Sequence, residues 1–178
     1  MTNDYAEHTD GALKRGFGWR HMGRCTVTKE DSRMIKAIMR ELSEIKTYCR
    51  YFENKRGSIF KMAGITPGEI TFLDMEKVKE LLALPMAEDD KKGLYAYFDA
   101  RTKIMLMAIG MERLPKGQYR KIAQDRYYMR LSYREIMDKY GVSHDTVRRA
   151  MARTNQCLAE YVRWYNELAG RAKQEIGL

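Results

Sequence analysis

Three observations predict an all-α protein. Only 3 prolines stand against 13 methionines, which favours helices over a turn-rich β architecture. No stretch alternates apolar and polar residues with the period of a half-buried strand, and no repeat of about 20–50 residues is visible. Apolar residues instead recur at three- and four-residue spacing. We therefore expect long amphipathic helices, arranged as a helical hairpin or coiled coil, followed by shorter helices and an extended C-terminal helix.

Residues 1–30 are polar and lack a sustained period, so we expect an N-terminal tail or irregular arm. An arm partly ordered on the core is the favoured interpretation. Contact with a nucleic-acid backbone is the alternative, because basic and aromatic residues alternate there: Lys14, Arg15, Phe17, Trp19, Arg20 and Arg24.

Residues 31–113 form the predicted helical packing or oligomerisation region. A first helix is expected from a cap at Asp31 or Ser32 to about Lys55, with Gly57 ending it. Its apolar seam either packs inside the chain or joins two chains, and the sequence leaves both open. The seam consists of Ile35, Ile38, Leu42, Ile45, Cys49 and Phe52.

The segment between Gly57 and Gly93 breaks this pattern. AGITPGEI is an expected loop, a short helix is expected over Asp74–Leu84, and AEDDKKG at 87–93 is an expected charged connector. A second long helix should run from Gly93 until Pro115 closes it. Its apolar stripe is the natural partner of the first seam.

Positive charge is concentrated in one part of the chain. The net charge is +9, and residues 114–153 carry +6 of it, from 10 Lys and Arg against 4 Asp and Glu. Such an excess indicates a polyanionic partner, most often nucleic acid. The alternative is a solvated basic face that has no partner.

Other classes of protein find little support in the sequence. The first residues lack the apolar segment of a secretory signal, and the run IMLMAIGM at 104–111 is too short to span a bilayer, so we expect a cytoplasmic protein without a membrane partner. His8, His21 and Cys25 are too few to indicate a zinc site. Phosphate-loop, zinc-protease and nucleophile–base motifs are lacking, so we expect no enzyme, no cofactor and no metal.

Residues 114–178 predict a helix-turn-helix with an extended C-terminal helix. A short helix follows Pro115, with candidate buried positions at Tyr119, Ile122, Ala123, Tyr127 and Met129. Ser132 and Glu135 then form an S-x-x-E capping box for a helix of one or two turns. Gly141 ends that helix, and Ser143 caps the next one, which should continue to Gly170. Two helices joined by a short glycine turn are typical of this motif.

The second helix of this pair has two different sides. Val147, Ala150, Met151, Thr154 and Leu158 fall on one side. The opposite side holds three arginines and one aspartate, the charge balance that suits a duplex major groove. The predicted DNA-binding residues are Ser143, His144, Asp145, Thr146, Arg148, Arg149 and Arg153, with Arg130, Tyr133 and Arg134 ahead of them.

Residues 114–160 also resemble a known domain, region 4 of bacterial sigma factors and the related domain of phage late-transcription regulators of the ArpU and RinA type. The resemblance is carried by Leu114–Pro115, by the tyrosine pair before LSYREI, and by GVSHDTV at the turn. It implies promoter-region DNA binding in a bacterial host cell, at the nucleoid, and contact with RNA polymerase.

Three functions remain open from the sequence. The leading one is a phage-type transcriptional regulator that binds double-stranded DNA as a homodimer or together with polymerase. The second is a DNA-packaging adaptor like a small terminase subunit, which joins the same motif to oligomerising helices. The third is a helical inhibitor of another protein, whose DNA-binding motif serves autoregulation.

Overall fold

The computed structural model describes residues 26–177 and confirms the all-α prediction. Within these residues 77% are helical and no strand occurs. The basic arm residues and the histidines and cysteine at 8, 21 and 25 lie outside the described residues. The described helices are α1 (Lys29–Lys55), α2 (Gly57–Met62), α3 (Met75–Leu82), α4 (Glu88–Glu112), α5 (Gln118–Tyr127), α6 (Tyr133–Tyr140) and α7 (His144–Ile176).

The start of α1 lies earlier than the sequence predicted. Thr28 has extended backbone angles, and its hydroxyl accepts a hydrogen bond from the Asp31 amide at 3.0 Å. The Asp31 carboxylate accepts in return from the Thr28 amide at 2.8 Å. The predicted cap at Asp31 or Ser32 is therefore wrong, because Asp31 is the third residue of a capping box that Thr28 opens.

The start of α4 also differs from the prediction. The helix begins at Glu88, so most of the expected connector at 87–93 is its first turns and Gly93 lies inside it. Three acidic residues, Glu88, Asp89 and Asp90, occupy the first turn, where the partial positive charge of the helix end stabilises them. The predicted short helix is confirmed as α3, although it ends at Leu82.

The three long helices α1, α4 and α7 pack against one another around the main core. The α1 seam packs there within the chain, since Ile35, Leu42 and Phe52 are buried together with residues of α4 and α7. Helix α7 has 33 residues and is about 50 Å long. It passes through Gly170, the predicted end, because a glycine inside a helix costs only about 1 kcal/mol and the packing on both sides of it continues.

A second, smaller core joins α5, α6 and the beginning of α7. Its buried residues are Ile122, Ile136, Val147, Ala150 and Met151. Met129, which the sequence placed among the buried positions of this region, is instead 67% exposed. The helical period that predicted its burial stops with α5 at Tyr127.

One ion pair fixes the beginning of α1 against the middle of α7. Arg163 reaches both oxygens of Asp31, at 3.1 Å from Nε and 2.5 Å from Nη2, and Nη2 also donates to the Thr26 carbonyl at 2.6 Å. The Asp31 side chain is 8% exposed. Hydrogen bonds from Arg163 outweigh the desolvation of the carboxyl, and they lower the pKa of Asp31 to about 2.

We expect opposite effects from adding a methyl group at two glycines. In Gly110→Ala the new Cβ meets Leu158 Cδ2 at 2.7 Å and Tyr161 Cδ2 at 2.9 Å, so these buried side chains or the two helices must shift. We expect a net loss of about 1 kcal/mol, because overpacking outweighs the better helix propensity of alanine. Gly170→Ala is the matched control: no atom lies within 4 Å, and a gain of about 0.5–1 kcal/mol is expected. Thermal unfolding measures both, and stabilisation by Gly110→Ala would contradict the close packing.

We expect Asp31 to contribute to acid stability. Its pKa is lower in the folded chain than the ordinary 3.8, so its contribution is complete above about pH 4 and is lost as the pH falls towards 2. Asp31→Asn should cost roughly 1–2 kcal/mol near pH 7, a value reduced for the partial exposure of Arg163. Denaturant unfolding at pH 7 and pH 2.5 should show the difference between wild type and variant shrinking at the lower pH. A difference that does not change with pH would contradict the role of this ion pair.

Candidate nucleic-acid interface

The junction between α6 and α7 is built from local capping interactions. Ser132 accepts a hydrogen bond from the Glu135 amide at 3.2 Å, and the Glu135 carboxylate accepts from the Ser132 amide at 2.6 Å, which confirms the predicted capping box. Gly141 ends α6 in the left-handed conformation, with φ of 61°. The Val142 amide donates to the Met137 carbonyl at 3.2 Å. This geometry sets the direction in which α7 leaves the turn.

Ser143 caps α7, as predicted. Its hydroxyl accepts from the Thr146 amide at 3.3 Å and lies 3.1 Å from the Thr146 hydroxyl. Two of the predicted DNA-binding side chains, Ser143 and Thr146, therefore stabilise the start of the helix in the unbound protein.

The first three turns of α7 have one buried and one exposed side. Val147, Ala150 and Met151 are buried in the small core. Four predicted site residues on the other side are exposed, and we call this set the basic face of α7: His144, Arg148, Arg149 and Arg153. The small core thus holds the helix while leaving this face open.

Asp145 forms ion pairs with two arginines of the basic face. Its carboxylate binds Arg148, at 2.7 Å to Nη2 and 3.1 Å to Nε, and it also binds Arg149. Hydrogen bonds from Arg148 and then Arg149 lower the pKa of Asp145, so it is ionised near neutral pH. The arginine side chains remain 68% and 69% exposed. Pairs this exposed contribute little to stability, so another hydrogen-bond acceptor can displace Asp145 from either guanidinium.

Tyr133 lies beside the start of the basic face. Its ring centroid is 5.5 Å from that of His144, and the Arg126 guanidinium lies 5.5 Å from the same tyrosine ring. Arg126 also donates to the Leu131 carbonyl at 2.8 Å. Sequence reasoning missed Arg126. It lies seven residues before Tyr133, and this spacing indicates a contact only once the turn between α5 and α6 is known. Arg134 is exposed on α6.

Arg130 lies apart from the other predicted site residues. It adopts a left-handed conformation, with φ of 58°, in the turn between α5 and α6. Its Nη2 donates to the Arg40 carbonyl of α1 at 2.8 Å. The structure therefore places Arg130 against α1, whereas the sequence grouped it with α6 and α7.

A buried carboxylate holds α6 in place. Asp125 Oδ2 accepts hydrogen bonds from Lys139 Nζ at 2.7 Å and from the Tyr140 hydroxyl at 2.6 Å. Burial disfavours the charged carboxylate, but these two bonds outweigh it and keep the pKa of Asp125 below its ordinary value. The sequence showed no signal for this contact, which depends on how α5 and α6 cross.

An open groove of about 710 Å³ separates the basic face from the beginning of α1. On the α1 side it is lined by Thr26, Val27 and Ser32. On the α7 side it is lined by Arg149, Ala152, Arg153, Asn155 and Gln156. The groove therefore joins two of the predicted DNA-binding arginines to a helix that the sequence analysis did not connect with them.

Comparisons with protein-family models, with curated proteins and with solved structures give no match. Across residues 26–177, no helix is both long enough and apolar enough to cross a membrane. The same residues contain no group of three or more histidine, cysteine, aspartate or glutamate side chains placed to hold a metal ion.

Proposed function

We propose that this protein is a sequence-specific, double-stranded DNA-binding transcriptional regulator of phage or prophage type. In this proposal α6 and α7 form a helix-turn-helix, and the first turns of α7 enter the major groove. One observation carries the proposal: the basic face of α7 is open to solvent directly above a small core that fixes the helix.

The local geometry supports this assignment. Two capped helices joined through a left-handed glycine present the start of α7 at the surface, and α6 lies beside it. A major groove about 12 Å wide accepts one helix. In this arrangement Tyr133 and Arg134 contact the DNA backbone that α6 crosses, and His144 lies at the entrance of the major groove.

The chemistry of the face suits base recognition. An arginine fork fits the two major-groove acceptors of guanine and is worth about 1–3 kcal/mol of discrimination. Asp145 holds Arg148 and Arg149 side by side before DNA arrives, which limits the conformations they must lose on binding. Once released from them, the same carboxylate accepts from a cytosine amino group.

The proposed partners are double-stranded DNA, a second copy of the chain and bacterial RNA polymerase, with the protein acting at the host nucleoid. A two-fold homodimer would place two recognition helices about 34–36 Å apart, or a multiple of that distance. The packaging-adaptor alternative joins the same motif to oligomerising helices, and a ring of many copies would favour it. The α1 seam, one candidate for a contact between chains, packs inside the chain.

We expect Arg148→Ala and Arg149→Ala each to weaken binding to a duplex that the full chain selects from a random DNA pool, called the selected site below. The loss should be about 5- to 150-fold, corresponding to about 1–3 kcal/mol, because each variant removes a guanidinium from the groove. Fluorescence anisotropy on a labelled duplex measures it, with circular dichroism to confirm unchanged helix content. Lys173→Ala, on the same helix but far from the turn, is the matched control. Affinity unchanged in both arginine variants would mean that α7 does not read DNA.

Asp145→Asn should change affinity in the opposite direction. Removing the carboxylate leaves the arginines unpaired and the face more positive, so affinity for unrelated duplex DNA should rise several-fold while preference for the selected site falls. Glu160→Gln makes the same charge change four turns further along α7 and should have little effect. Weaker binding of Asp145→Asn to unrelated DNA would contradict this role.

A further inference from the structure

Four basic residues line one exposed side of α1, and we call them the α1 stripe. They follow one another at four-, three- and four-residue spacing, which places them on one side of the helix: Lys29, Arg33, Lys36 and Arg40. All four are exposed. None of them forms an ion pair with a residue that the structure describes, so the charge of the α1 stripe is not neutralised within residues 26–177.

Within residues 29–41 the exposed acidic residues of α1 lie elsewhere on the helix, and Glu44, one turn beyond Arg40, marks the end of the stripe. Ser32 borders the groove, and Lys29 and Lys36 stand one turn to either side of it. Glu30 lies two residues before Ser32, and Glu41 lies nine residues, or two and a half turns, after it. Both therefore lie on the side of α1 opposite Ser32. Lys29 and Lys36 therefore flank the α1 residue that lines the groove, whereas Glu30 and Glu41 lie on the side opposite that residue.

The position of the α1 stripe is set by contacts at both ends. At the start of α1, the Arg163–Asp31 ion pair holds the helix to α7. At Arg40, the carbonyl accepts from Arg130, whose left-handed conformation turns its side chain towards α1. Across the groove from Ser32 lie Arg149 and Arg153. The stripe therefore runs along α1 beside this groove, which Ser32 lines between Lys29 and Lys36, and the basic face of α7 borders the groove from the other side.

We propose that the α1 stripe binds the phosphate backbone of the same duplex that α7 enters. This inference rests on the proposed function. The stripe extends about 16 Å along α1, enough to border about five phosphates of one strand. It would contact the backbone next to the bases read by α7, and it would fix the register and orientation of the protein without reading sequence.

The composition of the α1 stripe favours DNA over an acidic protein as the occupant. A protein interface usually has a core of large apolar side chains, and the exposed large apolar residues of the described chain all lie outside residues 29–40. The stripe instead offers lysine and arginine side chains, beside a groove that Arg149 and Arg153 line from α7. This is the charge complementarity expected for a polyanion that spans both surfaces.

The test compares two double variants that lose the same charge. Lys36→Gln with Arg40→Gln removes two groups of the α1 stripe; Lys77→Gln with Lys173→Gln removes two exposed lysines from α3 and the far end of α7. Affinity of the full chain is measured by anisotropy for the selected duplex and for a scrambled duplex, between about 50 and 200 mM salt. Lys29→Gln with Arg33→Gln is the second variant of the stripe, and circular dichroism confirms that all variants are folded.

The expected result is a loss of affinity by the same factor on both duplexes in the stripe variants only. The slope of log affinity against log salt concentration should be shallower by about 2 in these variants. Their loss of affinity relative to the wild type should therefore shrink roughly tenfold across this salt range. If the stripe variants match the Lys77 and Lys173 control while Arg148→Ala and Arg149→Ala still lose affinity, the inference is overturned and the proposed function stands. If the wild type shows no salt-dependent binding to either duplex, both are overturned.

Discussion

The structure depends on α7 being one continuous helix that serves two cores. Its first turns pack on α5 and α6 through Val147, Ala150 and Met151, and its remaining length packs on α1 and α4. Because the helix is unbroken over 33 residues, its exposed basic face is fixed relative to the main core. In the proposed function this face meets a rigid duplex, and a face fixed in this way loses little conformational freedom on binding.

The contact between α1 and α7 fixes a second surface, the α1 stripe, relative to the main core. Arg163 is ten residues beyond Arg153 on α7 and holds the beginning of α1 through Asp31. The groove next to the basic face therefore has a defined second border, and the α1 stripe runs beside it. One helix pairing thereby fixes the position of the α1 stripe relative to the basic face of α7.

The sequence predicted those elements whose signals are local. The capping box at Ser132, the turn at Gly141 and the cap at Ser143 each depend on residues within four positions, and all three are confirmed. The predicted starts of α1 and α4 are wrong because a threonine cap at Thr28 and an acidic first turn at Glu88 resemble arm and connector sequence. Tertiary packing carried α7 past Gly170, which local rules treat as a stop.

The candidate site was predictable only where its features depend on residues close together in the sequence. The exposure of Arg148, Arg149 and Arg153 follows from helical periodicity. The contact of Arg130 with Arg40 joins residues 90 positions apart, and no local pattern indicates it. The α1 stripe had a visible spacing, but its relation to α7 needed the packing of the two helices. The ion pairs of Asp145 follow from i,i+3 and i,i+4 spacing, which sequence reasoning treated only as a choice between base contact and helix dipole.

The most direct measurement is selection of bound duplexes from a random DNA pool by the purified full chain, followed by sequencing. The account predicts one enriched motif that contains guanines within a single major-groove face, flanked by positions of free sequence where α1 meets only phosphates. Two copies of that motif related by a two-fold axis would in addition indicate a dimer. A bound pool with the same base composition as the input would contradict sequence-specific recognition by α7.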